Sequence, residues 1–239
     1  GHAETVRVLL AHNADIDIEN KAGEMPIFMA AEAGHAEIMQ LLVENGADAE
    51  LADRFMSTPL MQASVKCLLS YGANVERINN DGETAVCIAA NAGSEPILLA
   101  LIVAGARIDV GDFLDQTTLL LAARKGHAKL VELLSRGGNV EAYRRESDLT
   151  PLLAASGNGH ASTVRLLLDY NADMEVRDAE GNKPLLLAAR QAKYDVVKLL
   201  VERGADIHAQ ARDGTSTLWL VWSRGNEKEL AKLLFEKGA

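Results

Sequence analysis

A Gly-His pair returns along this chain at fixed intervals. It stands at Gly1-His2, Gly34-His35, Gly126-His127 and Gly159-His160, separated by 33, 92 and 33 residues. A second marker, Gly/Asn-Ala-Asp/Asn, closes each unit, as in Asn13-Ala14-Asp15, Gly46-Ala47-Asp48, Gly72-Ala73-Asn74, Asn171-Ala172-Asp173 and Gly204-Ala205-Asp206. A third, Thr-Pro-Leu or a close variant, opens it. A period of 33 means a stack of supersecondary units, each unable to bury its apolar face alone. The period constrains the fold more than any other feature, and it turns the question of function from a reaction to a partner.

The openings fix the register. Met25-Pro26-Ile27, Thr58-Pro59-Leu60, Thr84-Ala85-Val86, Thr117-Thr118-Leu119, Thr150-Pro151-Leu152, Lys183-Pro184-Leu185 and Ser216-Thr217-Leu218 step by 33 residues, with one step of 26. They predict a single domain over 1–239: a leading half unit over 1–19, then about seven units opening near 20, 53, 79, 112, 145, 178 and 211. Each unit reads as two helices. In the unit opening near 178, Pro184 sits in the first turn, where its missing N–H is not needed. Leu185 to Ala189 follow, and Ala pairs at 30–31, 89–90, 122–123 and 188–189 let neighbouring helices approach. The second helix carries Val196, Val197, Leu199, Leu200 and Val201. Gly204 suits a left-handed C-cap.

Thr-Pro-Leu, Ala-Ala, Gly-His, Leu-Leu and Gly-Ala-Asp at this spacing resemble the ankyrin repeat, and the resemblance runs the whole length of the chain. It implies an all-α solenoid of stacked turn-helix-helix units that binds partners through its turn tips and the concave face of its first helices. Two departures stand out. Where the family carries His after Thr-Pro-Leu, this chain has Phe28, Met61, Cys87, Leu120, Leu153, Leu186 and Trp219, so simple apolar packing is expected there. Where the family carries Asn after the Gly-Ala-Asp segment, this chain has Asp17, Glu50, Glu76, Asp109, Glu141, Glu175 and His208. The Asn hydroxylation known for the family therefore has no target at that slot.

The step of 26 marks a repeat over 53–78 that is seven residues short. The shortfall matches Glu32–Ile38 of the preceding unit, the turn between its helices. If Ser64 and Val65 are bonded neighbours, the unit forms one bent helix and the stack is interrupted. Alternatively, a turn is missing between them. Intact register on both sides favours the second reading, with normal helix pairs flanking the site. A smaller irregularity lies at Leu133–Gly138, where the second helix is one residue short. The turn after it, Ala142–Asp148, is one residue longer than its counterparts, which makes it either a contact element or a tolerated loop insertion.

Composition narrows the function classes. Apolar residues make up 48% of the chain and aromatics only 4%, so the core rests on Leu, Ala, Val and Ile. A net charge of −10 has the wrong sign for general nucleic-acid binding, where Lys and Arg displace counterions from phosphate. No apolar run is long enough to span a bilayer. Cys67 and Cys87 form no metal-ligand pattern, and low cysteine usage fits a reducing setting, the cytoplasm first and the nucleus as the alternative. The chain opens inside a repeat, so it is expected to be part of a longer protein; a monomer is the other expectation. His2, His35, His127 and His160 belong to the repeat turns. No His-Glu-x-x-His, phosphate-loop or nucleophile-elbow pattern appears. We expect no catalysis, cofactor or metal.

The informative positions are those the scaffold leaves free. Most are polar, but Phe55, Phe113, Leu114 and Leu149 are not. Apolar side chains at turn tips read as binding anchors or as packing against the next turn. Arg124, Lys125, Arg144, Arg145, Arg190 and Arg224 form a basic row beside them, with Tyr143 on the lengthened turn. A groove of this kind suits an acidic-amphipathic peptide or protein segment. Trp219 and Trp222 share one helix face and read as terminal core or cap, whereas exposure would mark an end-on partner. The leading expectation is a non-catalytic protein-binding scaffold. The competing one is a structural spacer or capping array within a larger signalling or enzyme-containing protein.

Overall fold

The computed structural model describes residues 1–61, 65–141, 148–223 and 228–238. The chain divides into two compact units, Gly1–Phe113 and Leu114–Ala239. In the first, α1 (Ala3–Ala11) precedes the pair α2 (Pro26–Glu32) and α3 (Ala36–Glu44). A 3-10 turn, Pro59–Met61, and α4 (Val65–Ser70) come next, followed by α5 (Ala85–Ala92) and α6 (Glu95–Val103). The second unit holds the pairs α7 (Thr118–Lys125) and α8 (Ala128–Ser135), α9 (Pro151–Asn158) and α10 (Ala161–Asp169), α11 (Pro184–Arg190) and α12 (Tyr194–Glu202), and α13 (Thr217–Ser223) and α14 (Lys228–Glu236). Among the described residues there is no strand; an isolated antiparallel bridge joins Gln210 and Ser216.

Each unit has two rows of helices. In the first unit, α2, the 3-10 turn and α5 pack in series, and α1, α3, α4 and α6 form the second row. In the second unit the rows are α7, α9, α11, α13 and α8, α10, α12, α14. The core lies between the rows. It includes Leu42, Leu68, Leu101, Leu134, Leu167 and Leu200, all buried at the same place in successive second helices. The Ala pairs of the first helices are buried too.

The motifs explain the helix ends. Thr84, Thr117 and Thr150 sit before their helices with extended backbone, and each hydroxyl accepts the backbone N–H three residues on, satisfying a donor the helix leaves orphaned. After the second helices the chain turns left-handed, at Gly204 (φ 90) and at Asn171 (φ 63). The next residue then donates back to the helix, Ala205 to Leu200 and Ala172 to Leu167, both at 3.0 Å. This is the Schellman arrangement, and it accounts for the Gly/Asn-Ala marker.

The Gly-His pair has a packing reason. Gly126 has φ 77, and a Cβ there would stand 2.5 Å from His160 Nδ1. The His of one repeat thus lies over the Gly of the repeat before it. His160 Nε2 also sits 3.1 Å from the Arg124 carbonyl oxygen.

Among the described residues the short repeat holds the 3-10 turn Pro59–Met61 and the six-residue α4. α4 packs on both α3 and α6. Normal pairs flank it. Ser64, and with it the Ser64–Val65 junction, lies outside the described residues. Thr58 shows the consequence of the shortening: the turn beyond it closes through Met61 N–H to its carbonyl at 3.0 Å, and its buried hydroxyl finds no partner. The shortened second helix near 133–138 is α8, with eight residues against nine in α10.

Candidate functional site

The turn tips are built by a repeated side-chain device. Asp53 Oδ1 accepts the N–H groups of Phe55 and Ser57, both at 2.8 Å. Asn79 Oδ1 does the same for Asp81 and Glu83, and Asp178 Oδ1 for Glu180 and Asn182. A short polar side chain that mimics a backbone turn holds each tip. Neighbouring tips are then tied together. Asn80 N–H donates to Phe55 O at 2.8 Å, and Phe113 N–H to Asp81 O at 2.9 Å.

Phe55 and Phe113 therefore flank one tip of the first unit, and the two residues are 66% and 69% exposed. Phe113 does pack on the preceding turn: a Cβ on Gly82 would stand 2.5 Å from its ring. Leu114, at the start of the second unit, is 51% exposed. Leu149 differs from the expectation of exposure. It is half-buried, because it lines a groove with residues of α7, α9 and α11.

That groove belongs to the second unit and has a volume of about 360 Å³. Its walls include Arg124, Leu149, Asn158, Leu187, Gln191 and Lys193. Gly157 opens it. By the 33-residue register Gly157 stands where the neighbouring repeats carry Arg124 and Arg190, so a glycine separates two arginines along the row. A Cβ at Gly157 would press to 3.2 Å from a Leu187 methyl. Arg124 hydrogen-bonds the Gln116 side chain, and Arg190 pairs with Asp213 at 3.0 Å. Lys125 is exposed. The structure thus brings Arg124 and Leu149 together, while Tyr143, Arg144, Arg145 and Arg224 lie outside the described residues.

Sequence reasoning noticed the acidic slot but missed its role. Glu50 Oε1 accepts Asn74 N–H at 2.7 Å, and Glu76 Oε1 accepts Arg107 N–H at 2.8 Å. Glu141 and Glu175 likewise accept the N–H groups of Asp173 and Asp206 at 2.7 and 3.0 Å. Each carboxylate ties one repeat to the next. The signal was present as Glu recurring at a fixed register. Charge adds to this link at Lys183, which stands in the place of a capping Thr. Its Nζ lies 2.6 Å from Glu175 Oε2 and 2.8 Å from Asp206 Oδ2. Burial works against the Lys183 cation, yet its bonds to Asp206 and Glu175 hold its pKa above the ordinary lysine value. The same bond to Lys183 lowers the Asp206 carboxyl.

The apolar His slot packs as expected from Phe28 to Leu186, all buried. Trp219 does not, being 58% exposed, and Trp222 is 74% exposed. The terminal-core reading of this pair is therefore corrected. The two rings line an open apolar surface with Leu218 and Phe235. No cluster of His, Cys, Asp or Glu suited to a metal ion occurs among the described residues, and no described helix is long and apolar enough to cross a membrane.

Comparison with known proteins agrees with this architecture. A family model for ankyrin repeats in three copies matches residues 1–66, 63–144 and 119–211. The crystal structure of the human ASB11 ankyrin repeat domain superposes with a TM-score of 0.79, covering 90% of this chain and 99% of that one at 23% sequence identity. At that identity the likeness is one of fold. No curated protein sequence matches the chain significantly. Ankyrin repeats are generally protein–protein interaction modules and typically non-catalytic. With helix pairs, left-handed caps and tied turn tips at one register, and family matches reaching residue 211, the chain belongs to the ankyrin-repeat family.

Proposed function

We propose that the chain is a non-catalytic scaffold whose second unit binds an acidic, amphipathic segment of a partner protein along its first helices. The observation that carries this reading is the groove at Gly157. Apolar Leu149 and Leu187 line it, and the cations Arg124 and Lys193 stand at its walls, with Lys125 exposed beside it. An apolar anchor enters where the glycine leaves room, and carboxylates of the partner meet the cations. Exposed Phe55, Phe113 and Leu114 supply further apolar anchors at the turn edges of their own units, and Arg190 extends the basic row.

A fluorescent synthetic peptide with Leu anchors among Glu residues, titrated into the chain, tests the idea. The Arg124→Glu/Lys125→Glu variant is expected to bind it about tenfold more weakly, a loss of about 1.4 kcal/mol, with an unchanged circular dichroism melt. Added salt should weaken binding to the parent chain. Equal affinity for a scrambled peptide, or no loss in the folded variant, would leave the structural-spacer reading standing instead.

A further inference from the structure

The second helices of the repeats follow a rule on their outer faces. α3 presents Glu37, Gln40 and Glu44, α10 presents Ser162, Arg165 and Asp169, and α12 presents Asp195, Lys198 and Glu202. The α8 segment has Lys129, Glu132 and Arg136 at the same places. α6 breaks the rule with Pro96, Leu99 and Val103. Leu99 is 40% exposed and Val103 88% exposed, so this helix is apolar on both its packed and its outward side. A helix apolar all round is ordinarily buried.

This face borders the short helix α4. α4 has six residues against nine in α6. Its first residue, Val65, stands level with Leu98 in the repeat register. A groove of about 680 Å³ runs between the two helices, with Leu69 and Ala100 in its lining as well. Lys66 stands at its α4 rim. The groove and the absent polar face thus fall on the same spot of the first unit. Together they form an open, apolar trough.

Charge selects the occupant. Residues 1–113 hold 17 Asp and Glu against 6 Lys and Arg, while residues 114–239 hold 17 against 18. The first unit therefore carries the whole negative charge of the chain. Next to the groove, α3 exposes Glu37 and Glu44, and Glu95 lies at the groove's own end. A second copy of the chain would bring like charge, which costs free energy on close approach.

We propose that the α4–α6 groove seats a basic amphipathic helix from a partner protein. Its apolar stripe lies across Leu99 and Val103, in the helix-in-groove mode, and its Lys and Arg residues meet the acidic surface on either side. Lys66 meets the carbonyl-rich C-terminal end of the incoming helix. This site is separate from the Gly157 groove and takes a partner of the opposite charge.

A synthetic Leu/Lys amphipathic peptide, followed by fluorescence anisotropy against the whole chain, tests the proposal. The informative variant is Leu99→Lys/Val103→Glu, which gives α6 the residues α12 carries at those places and leaves the net charge unchanged. General attraction to an acidic surface is therefore preserved, and a loss reports the groove. Binding should fall at least tenfold, with the circular dichroism melt unchanged, and a Leu/Glu peptide should bind the parent chain more weakly than Leu/Lys. If the double variant folds poorly, Val103→Ser at its exposed position must weaken binding in the same direction. Undiminished binding by a folded variant overturns the proposal, as does preference for the Leu/Glu peptide. A dimer in sedimentation that Val103→Glu dissolves would also overturn it, by making a second copy the occupant.

Discussion

The pair α11–α12 and the 3-10 turn with α4 hold the same place in the repeat and reach different structures. In the first, Pro184 opens a seven-residue helix, and α12 follows with Val196, Val197 and Leu200 buried. In the second, Thr58 and Pro59 begin the same way, but the described residues there are a three-residue 3-10 turn and the six-residue α4. Both still bury their central leucine, Leu200 and Leu68. The difference teaches that stacking, not local helix length, keeps a repeat in place. α4 is too short to be stable alone, yet it lies between α3 and α6, and its apolar face is satisfied by neighbours on both sides.

Core truncation should break this comparison most strongly. Leu200→Ala and Leu68→Ala each remove a fully buried side chain, with expected costs of about 2–5 kcal/mol. Leu200→Ala should lie at the upper end, since complete helices surround it, and Leu68→Ala at the lower, since a short helix can collapse into the space. Urea unfolding of both variants measures the pair. A larger loss at Leu68 would mean that the short repeat is the more rigidly packed of the two.

Capping offers a second contrast. Thr150→Ala removes a hydroxyl that accepts Leu153 N–H at 3.3 Å, and should cost about 1 kcal/mol. Thr58→Ala removes a buried hydroxyl without a partner. It should be neutral or slightly stabilising, because an unpaired buried polar group is itself a cost. Parallel thermal melts decide this, and equal losses would show that Thr58 caps a helix in solution.

The smallest expected effect is in acid. Asp213 is pulled from 3.8 to about 2 by the backbone N–H of Thr215, then by the Thr215 hydroxyl and the Arg190 guanidinium. A carboxyl lowered on folding adds stability above its unfolded pKa and loses it as pH falls through the folded one. Stability linked to Asp213 should therefore be full above pH 3.8 and fade toward pH 2. Asp206, lowered by Lys183, acts in the same direction. The double variant Asp206→Asn/Asp213→Asn should show a shallower fall of melting temperature between pH 4 and 2. An identical slope in the parent chain would remove both links.

Much of the fold was legible because its determinants are local. A Thr-Pro pair, a left-handed Gly or Asn and an Ala pair act within a few residues, and their period survives in the chain as written. The acidic slot was legible as a pattern but not as a contact, since Glu175 meets Asp206 N–H from the next repeat. Leu149 could be placed on a turn, but its half-burial depends on α7, α9 and α11 closing around it. Trp219 occupies a slot that is buried in the other repeats, and whether it is covered depends on what stacks beyond α13.

By itself the sequence determined the repeat, its register, the helix ends and the apolar faces, because these follow from backbone stereochemistry and the 3.6-residue period. Only the tertiary structure decided which side chains remained at the surface. It showed that Gly157 opens a groove between two arginines, that Phe113 rests on Gly82 yet stays exposed, and that Leu99 and Val103 of α6 stay uncovered. Exposure is a property of neighbours, and those neighbours are a repeat or more away along the chain.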